Sequence, residues 1–154
     1  MIKILLLSIL TILISCSSTQ KSTDCLGDRD RDFKINWGRI INGDIHGNNY
    51  TLTSDRKIHN NAYQSKDGAG EYITTIQDTK SFCSLYSDLM NIMLRTQSLH
   101  VPADTNHFIE FINPGMNYRF RALWNPNHDN KGNRDFSVMY KRLEELITVN
   151  QSTN

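Results

Sequence analysis

Residues 107–124 read HFIEFINPGMNYRFRALW, and this stretch decides the fold of the chain. Apolar and polar residues alternate along residues 107–112 and again along residues 117–124, which is the pattern of half-buried strands. Pro114 and Gly115 lie between the two runs, where the chain has to turn. The stretch therefore predicts an antiparallel β-hairpin with one apolar face.

The turn of this hairpin sets which residues face each other. A two-residue loop at Pro114-Gly115 places Phe111 opposite Tyr118 and Glu110 opposite Arg119. Glu110 and Arg119 then form a cross-strand ion pair on the polar face. The apolar face consists of Ile109, Phe111, Tyr118, Phe120, Ala122 and Trp124. Because a Pro-Gly turn fits the twist of a hairpin poorly, a longer loop with a shifted pairing is the alternative.

Two segments flanking the hairpin have the 3.6-residue period of amphipathic helices. In residues 79–96 the apolar positions are Phe82, Leu85, Tyr86, Leu89, Ile92 and Met93. After a polar loop at residues 125–133 they are Phe136, Met139, Tyr140, Leu143, Leu146 and Ile147. Asp78 or Ser81 can cap the start of the first helix.

Shorter strand patterns precede the first helix. Alternating residues at 33–37 and the short runs 50–53 and 71–76 predict strands separated by turns. The order is strands, helix, hairpin, helix. This order predicts one α+β domain over residues 33–149, with two helices packed on one face of an antiparallel sheet. Residues 150–154 are predicted to form a disordered tail.

The first 15 residues differ from the rest of the chain. Lys3 gives them a positive start, and residues 4–14 are almost entirely apolar. This run is too short to cross a bilayer, which needs roughly 20 residues, but it has the length of a signal-peptide core. Residues 13–16, LISC, then resemble the lipobox of bacterial lipoprotein precursors. The resemblance implies cleavage before Cys16 and a diacylglycerol on its thiol.

A lipid on Cys16 implies a membrane-anchored protein of the cell envelope. Several acyl chains, such as palmitate, hold a protein on a membrane where one chain alone is marginal. Residues 16–32 are polar and charged, which predicts a flexible tether. In lipoproteins of this type a Ser after the Cys goes with the outer membrane, so Ser17 implies that membrane, with the domain facing the periplasm. An ordinary secreted protein cleaved near Ser15 is the alternative.

The composition and motifs argue against several classes of function. Removal of Lys3 with the signal leaves 16 basic side chains against 16 acidic ones, so no basic field would attract nucleic acid. The sequence contains no Gly-x-Ser-x-Gly, phosphate-loop or His-Glu-x-x-His motif. Residues 43–47, GDIHG, resemble the first metallophosphatase signature, but the other segments of that family are missing. We therefore predict no catalytic residue, metal or cofactor, and we interpret residues 42–49 as a turn.

Two cysteines remain once Cys16 is assigned to lipid. Cys25 and Cys83 form an even pair, which permits a disulfide in an oxidising periplasm. Cys83 lies beside Phe82 on the predicted helix, where a free cysteine can equally serve as a small buried residue. A bridge requires the segment around Cys25 to lie on that helix. Both alternatives are left open by the sequence.

The second face of the hairpin mixes aromatic, aliphatic and charged side chains, which is typical of a binding surface. Its residues are Phe108, Glu110, Ile112, Arg119, Arg121 and Leu123. The alternative is a covered or solvated face with scattered apolar residues. We predict that Phe108, Glu110, Arg119, Arg121 and Leu123 contact an envelope protein partner.

These observations indicate a non-enzymatic protein-binding module, such as an inhibitor, an immunity factor or an assembly accessory. The alternative is a small hydrolase or small-ligand receptor, which needs ionisable groups that converge in a pocket. In outline the domain resembles small Gram-negative envelope lipoproteins that have a strand-helix-hairpin-helix body. That resemblance implies no particular activity.

The lipobox generates a direct prediction. Cys16→Ala should leave an unprocessed or soluble exported protein, because the Cys16 thiol is the atom to which the diacylglycerol is transferred. Metabolic labelling of cells with a radioactive fatty acid measures this. Unchanged lipid incorporation in the variant would show that Cys16 is not the acceptor.

Overall fold

The computed structural model describes residues 25–62, 70–96, 99–101, 103–128 and 130–151, with side chains described up to residue 148. These residues form two helices and eight strands, joined in part by short 3-10 turns. The elements are β1 Lys34–Ile41, β2 Asp44–Ile45, β3 Tyr50–Thr53, β4 Lys57–Asn60, β5 Glu71–Thr75, α1 Thr79–Arg95, β6 Leu99–His100, β7 Thr105–Asn113, β8 Tyr118–Trp124 and α2 Arg134–Gln151.

One sheet contains all eight of these strands, and its order is β5-β4-β3-β1-β7-β8-β6, with β2 paired to β1. Neighbouring strands are antiparallel except for the short parallel pair of β6 and β8. The long strands β1 and β7 lie side by side near the middle. The chain therefore has the predicted α+β fold.

The inner face of the sheet carries the core and both helices. Phe33 stacks on Phe82 and Tyr86 of α1, with ring centroids 6.2 and 4.9 Å apart. Phe120 stacks on Phe136 of α2 at 5.8 Å. Both helices thus contribute to a single core cluster. The prediction that they pack on one face of the sheet is confirmed.

The helix periodicity identified the buried faces correctly. The buried residues of α1 are the six that the spacing selects. In α2 five of the predicted residues are buried and Leu146 is half-buried. Asp78 caps α1, since its carboxylate accepts the backbone N–H groups of Lys80 at 3.2 Å and Ser81 at 3.0 Å.

The hairpin has the predicted faces but a different register. Phe111 lies opposite Phe120, and Glu110 lies opposite Arg121, so the pairing is shifted by two positions along β8. The cause is a longer loop, a 3-10 turn at Pro114–Met116 followed by a left-handed Asn117 with φ 48°. Because side chains alternate with a period of two, this even shift leaves each one on its predicted face.

The connection after β1 contains a tight turn and a short strand. Asn42 and Gly43 have positive φ angles of 52° and 93°, the geometry of a two-residue hairpin turn. β2 follows directly and pairs with the end of β1. The stretch interpreted as a turn therefore also contributes two residues to the sheet.

The segment before β1 lies on the domain. Cys25 forms a disulfide with Cys83 of α1, with their Cα atoms 5.6 Å apart. The Asn113 amide donates to Oδ1 of Asp30 at 3.3 Å, and the Ser54 hydroxyl donates to the Arg31 carbonyl. The bridged alternative is thus the one that the structure shows, and this part of the proposed tether is attached to the domain.

The predicted signal peptide and the predicted lipidation site, Cys16, lie outside the described residues, as do residues 152–154. None of the helices in the described part of the chain is long and apolar enough to cross a membrane.

The core assignment can be tested by truncating one residue of the sheet and one of α2. Phe120→Ala and Leu143→Ala should each lower the free energy of unfolding by roughly 2 to 5 kcal/mol, because both side chains are buried in the core. Leu94→Ala is the control, since Leu94 is 77% exposed. Denaturant titration measures all three. Core variants as stable as Leu94→Ala would contradict the packing.

Candidate functional site

The face of the sheet opposite the helices, which we call the outer face, carries the candidate site. Side chains that alternate with the core residues of β1, β7 and β8 point to this face. All five residues that are predicted to contact a partner protein lie on this face: Phe108, Glu110, Arg119, Arg121 and Leu123. The alternation in the hairpin therefore predicted on which face of the sheet each side chain lies. It did not predict how deeply each side chain is buried.

A chain of hydrogen bonds, which we call the relay, crosses the outer face. The Asn61 amide donates to the Thr51 hydroxyl at 2.7 Å, and this hydroxyl donates to Oδ1 of Asn36 at 2.7 Å. The Asn36 amide donates to Oε2 of Glu110 at 3.1 Å. Arg119 donates to Oε1 of the same carboxylate through two nitrogens, at 3.0 and 2.7 Å. All the hydrogen bonds of the relay are thus donated in the direction of the Glu110 carboxylate, which is the final acceptor.

The carboxylate of Glu110 is the buried end of the relay. Glu110 is 8% exposed, whereas the Arg119 side chain is 67% exposed. Burial of a carboxylate destabilises the folded state unless the group forms an ion pair and hydrogen bonds. Arg119 supplies the ion pair, and Arg119 and Asn36 supply the hydrogen bonds. The predicted Glu110–Arg119 ion pair is therefore present. It runs diagonally, because Arg119 lies opposite Ile112 in the actual register.

Phe108 is buried beneath an arginine. It is 3% exposed, and the guanidinium carbon of Arg121 lies 5.3 Å from the centre of its ring. Gly38 makes room for this arrangement, since a Cβ there would lie 2.9 Å from Cβ of Asn49 and 3.2 Å from the Phe108 ring. The accessible part of this cluster is therefore Arg121 rather than Phe108.

A cleft of about 310 Å³ opens between the relay and this cluster. Its lining contains four predicted residues, Phe108, Glu110, Arg119 and Arg121, and four that the sequence analysis did not select, Asn36, Ile45, Asn49 and Asn61. Leu123 is half-buried and does not line it. The alternation of residues 33–37 already places Asn36 on the polar face. Ile45 belongs to the two-residue strand β2, and Asn49 and Asn61 lie in connections, so none of the three is part of a run long enough to show a period.

A second group of ionisable residues lies under α2 on the inner face. The Trp37 indole donates to the Glu144 carboxylate at 2.9 Å, and His107 stacks on Tyr140 at 4.1 Å. Burial raises the pKa of Glu144, and burial together with nearby Arg39 lowers the pKa of His107. Since Trp37 and Tyr140 are buried, these contacts hold α2 on the sheet.

A groove of about 580 Å³ separates the solvent-facing sides of α1 and α2. Arg95 pairs with Asp135 at 3.2 Å, and Arg142 pairs with Asp88 at 2.7 Å. These two ion pairs connect the helices across the groove.

Comparison of the sequence with protein-family models and with curated proteins finds no match. In the described ranges, no group of three or more His, Cys, Asp or Glu side chains is placed to hold a metal ion.

The relay can be tested at its centre. Asn36→Ala should lower the free energy of unfolding by about 1 to 3 kcal/mol, because it removes one partner each from Thr51 and Glu110. Asn91→Ala on the exposed side of α1 is the matched control and should cause no loss, since Ala favours helix. Thermal and denaturant unfolding measure both. Equal stability of the two variants would contradict the relay.

Proposed function

We propose that this chain is a membrane-anchored envelope lipoprotein that binds another envelope protein through the outer face of its sheet. The observation that carries the proposal is the position of Arg119 and Arg121. Both are exposed beside the cleft, on the face away from the two helices. The lipobox at residues 13–16 supports the membrane anchor, and Ser17 supports the outer membrane.

The chemistry of the cleft favours binding over catalysis. Its lining consists of amides, apolar groups, two arginines and one carboxylate. Hydrolysis by general acid–base or nucleophilic catalysis needs a reactive group beside an activating partner. Glu110 instead is engaged by Arg119 and Asn36, and the described residues that line the cleft include no Ser, Thr, Cys, His or Lys. A fixed polar cleft of this kind suits recognition.

A small-ligand receptor is the second candidate. The cleft volume of about 310 Å³ lies at the lower end of the range of about 300 to 1,000 Å³ for small-molecule pockets. The arginines project beside the cleft on an open sheet face, which is the arrangement of a protein-binding surface, and we therefore favour a macromolecular partner.

A charge reversal tests the proposal. Arg121→Glu should strongly reduce recovery of partner proteins with the detergent-solubilised lipoprotein, because the reversed charge opposes a complementary surface. The domain should stay folded with a modestly lower thermal midpoint, since the new carboxylate lies opposite Glu110 and the contact with the Phe108 ring is lost. Recovery is measured by affinity capture after cross-linking in cells.

Lys80→Glu provides the matched control. It makes the same change of charge on the helix layer, in the first turn of α1, where a negative charge is tolerated. It should recover the same partners as the wild type. Full recovery by Arg121→Glu would remove the outer face from the proposed function.

A further inference from the structure

We propose that the cleft on the outer face binds a carboxylate from an acidic segment of the partner protein, with the Arg121 guanidinium as its ligand. This inference rests on the proposed function and specifies the chemistry of the partner.

The charges in the cleft leave Arg121 available for an anion. Arg119 neutralises Glu110 through the contacts at 2.7 and 3.0 Å. Among the described residues, Arg121 has no carboxylate within ion-pair distance. In the described lining, two guanidinium groups and one carboxylate thus give one net positive charge, which favours an anionic ligand.

Arg121 is also held in place before any ligand arrives. Its guanidinium lies over the ring of Phe108, which is buried beside Gly38. A guanidinium that lies over an aromatic ring keeps N–H groups that can hydrogen-bond a ligand. Because an ordered side chain loses less entropy on binding, this arrangement favours recognition by Arg121.

The net charge of the cleft favours a carboxylate over a phosphate. Because Arg119 compensates Glu110, the described lining has one uncompensated positive charge, on Arg121. A monoanionic carboxylate neutralises this charge, whereas a dianionic phosphate would leave an excess negative charge in the cleft. One guanidinium offers two parallel N–H groups, which match the two oxygens of one carboxylate.

The other residues that line the cleft indicate which groups should lie next to this carboxylate in the partner. Ile45 is 55% exposed at the cleft and offers an apolar contact. Asn49 brings an amide group that can hydrogen-bond a peptide backbone, whereas the Asn61 amide already donates to Thr51. The occupant that fits is an Asp or Glu side chain next to an apolar residue, in an exposed segment of the partner.

Binding of model peptides tests the assignment. The full-length mature lipoprotein in detergent micelles, labelled with ¹⁵N-arginine, is titrated with three blocked pentapeptides that place Glu, Gln or phosphoserine next to Leu. The side-chain N–H signal of Arg121, assigned from its disappearance in Arg121→Lys, is followed by NMR. The Glu peptide should shift this signal to saturation, and it should bind about tenfold more tightly than the Gln peptide.

Variants give the second half of this test. Arg121→Gln, followed through the signal of Arg119, should weaken binding of the Glu peptide about tenfold, whereas Lys80→Glu should bind it like the wild type. Equal binding of the Glu and Gln peptides, tighter binding of the phosphoserine peptide, or no shift with any of them would overturn the carboxylate assignment.

The two proposals fail in different ways. Suppose that Arg121→Glu loses its partners although the Glu and Gln peptides bind equally. The carboxylate assignment is then overturned, and the binding face is retained. If instead the Glu peptide binds selectively but partner capture is unaffected by Arg121→Glu, the proposed function is overturned and the carboxylate site is retained.

Discussion

The pairing of β1 with β7 is the contact on which the rest of the structure depends. Every residue of β1 has a partner in β7, from Lys34 opposite Ile112 to Ile41 opposite Thr105. Inner side chains of the two strands, such as Trp37 and Ile109, are fully buried and support the helices. Outer side chains of the same strands join Asn36 to Glu110. One register therefore positions both the core and the cleft.

This arrangement makes the outer face rigid for an energetic reason. A carboxylate in the middle of a sheet loses most of its hydration, so the folded state needs partners for Glu110 that hold a fixed geometry. Asn36 and Arg119 provide them from the strands on either side of β7. The charge of Glu110 is consequently compensated within the domain, which leaves Arg121 as the arginine for the proposed ligand.

Sequence periodicity predicted the features that depend on a repeating pattern of residues. It did not predict features of the structure that are determined by individual side chains. The helix faces followed from six regularly spaced apolar residues in each segment. The hairpin register did not, because the Asn113 side chain accepts the Met116 N–H and Asn117 adopts a left-handed conformation, which lengthens the loop. The burial of Phe108 could not be predicted either, since Arg121 lies over the ring and Gly38, on the neighbouring strand, has no side chain to displace it.

The Cys25–Cys83 bond determines how far the domain could stand from a lipid on Cys16. The chain advances nine residues from Cys16 to Cys25, which span at most about 30 Å when extended. Without the bond, the first hydrogen bond to the rest of the domain would be that of Asp30 with Asn113, fourteen residues after Cys16, at a reach of about 46 Å. The bridge thus shortens this reach by about a third. For a chain that is anchored as proposed, this shorter reach keeps the outer face closer to the bilayer and raises its effective concentration towards a partner in the same membrane.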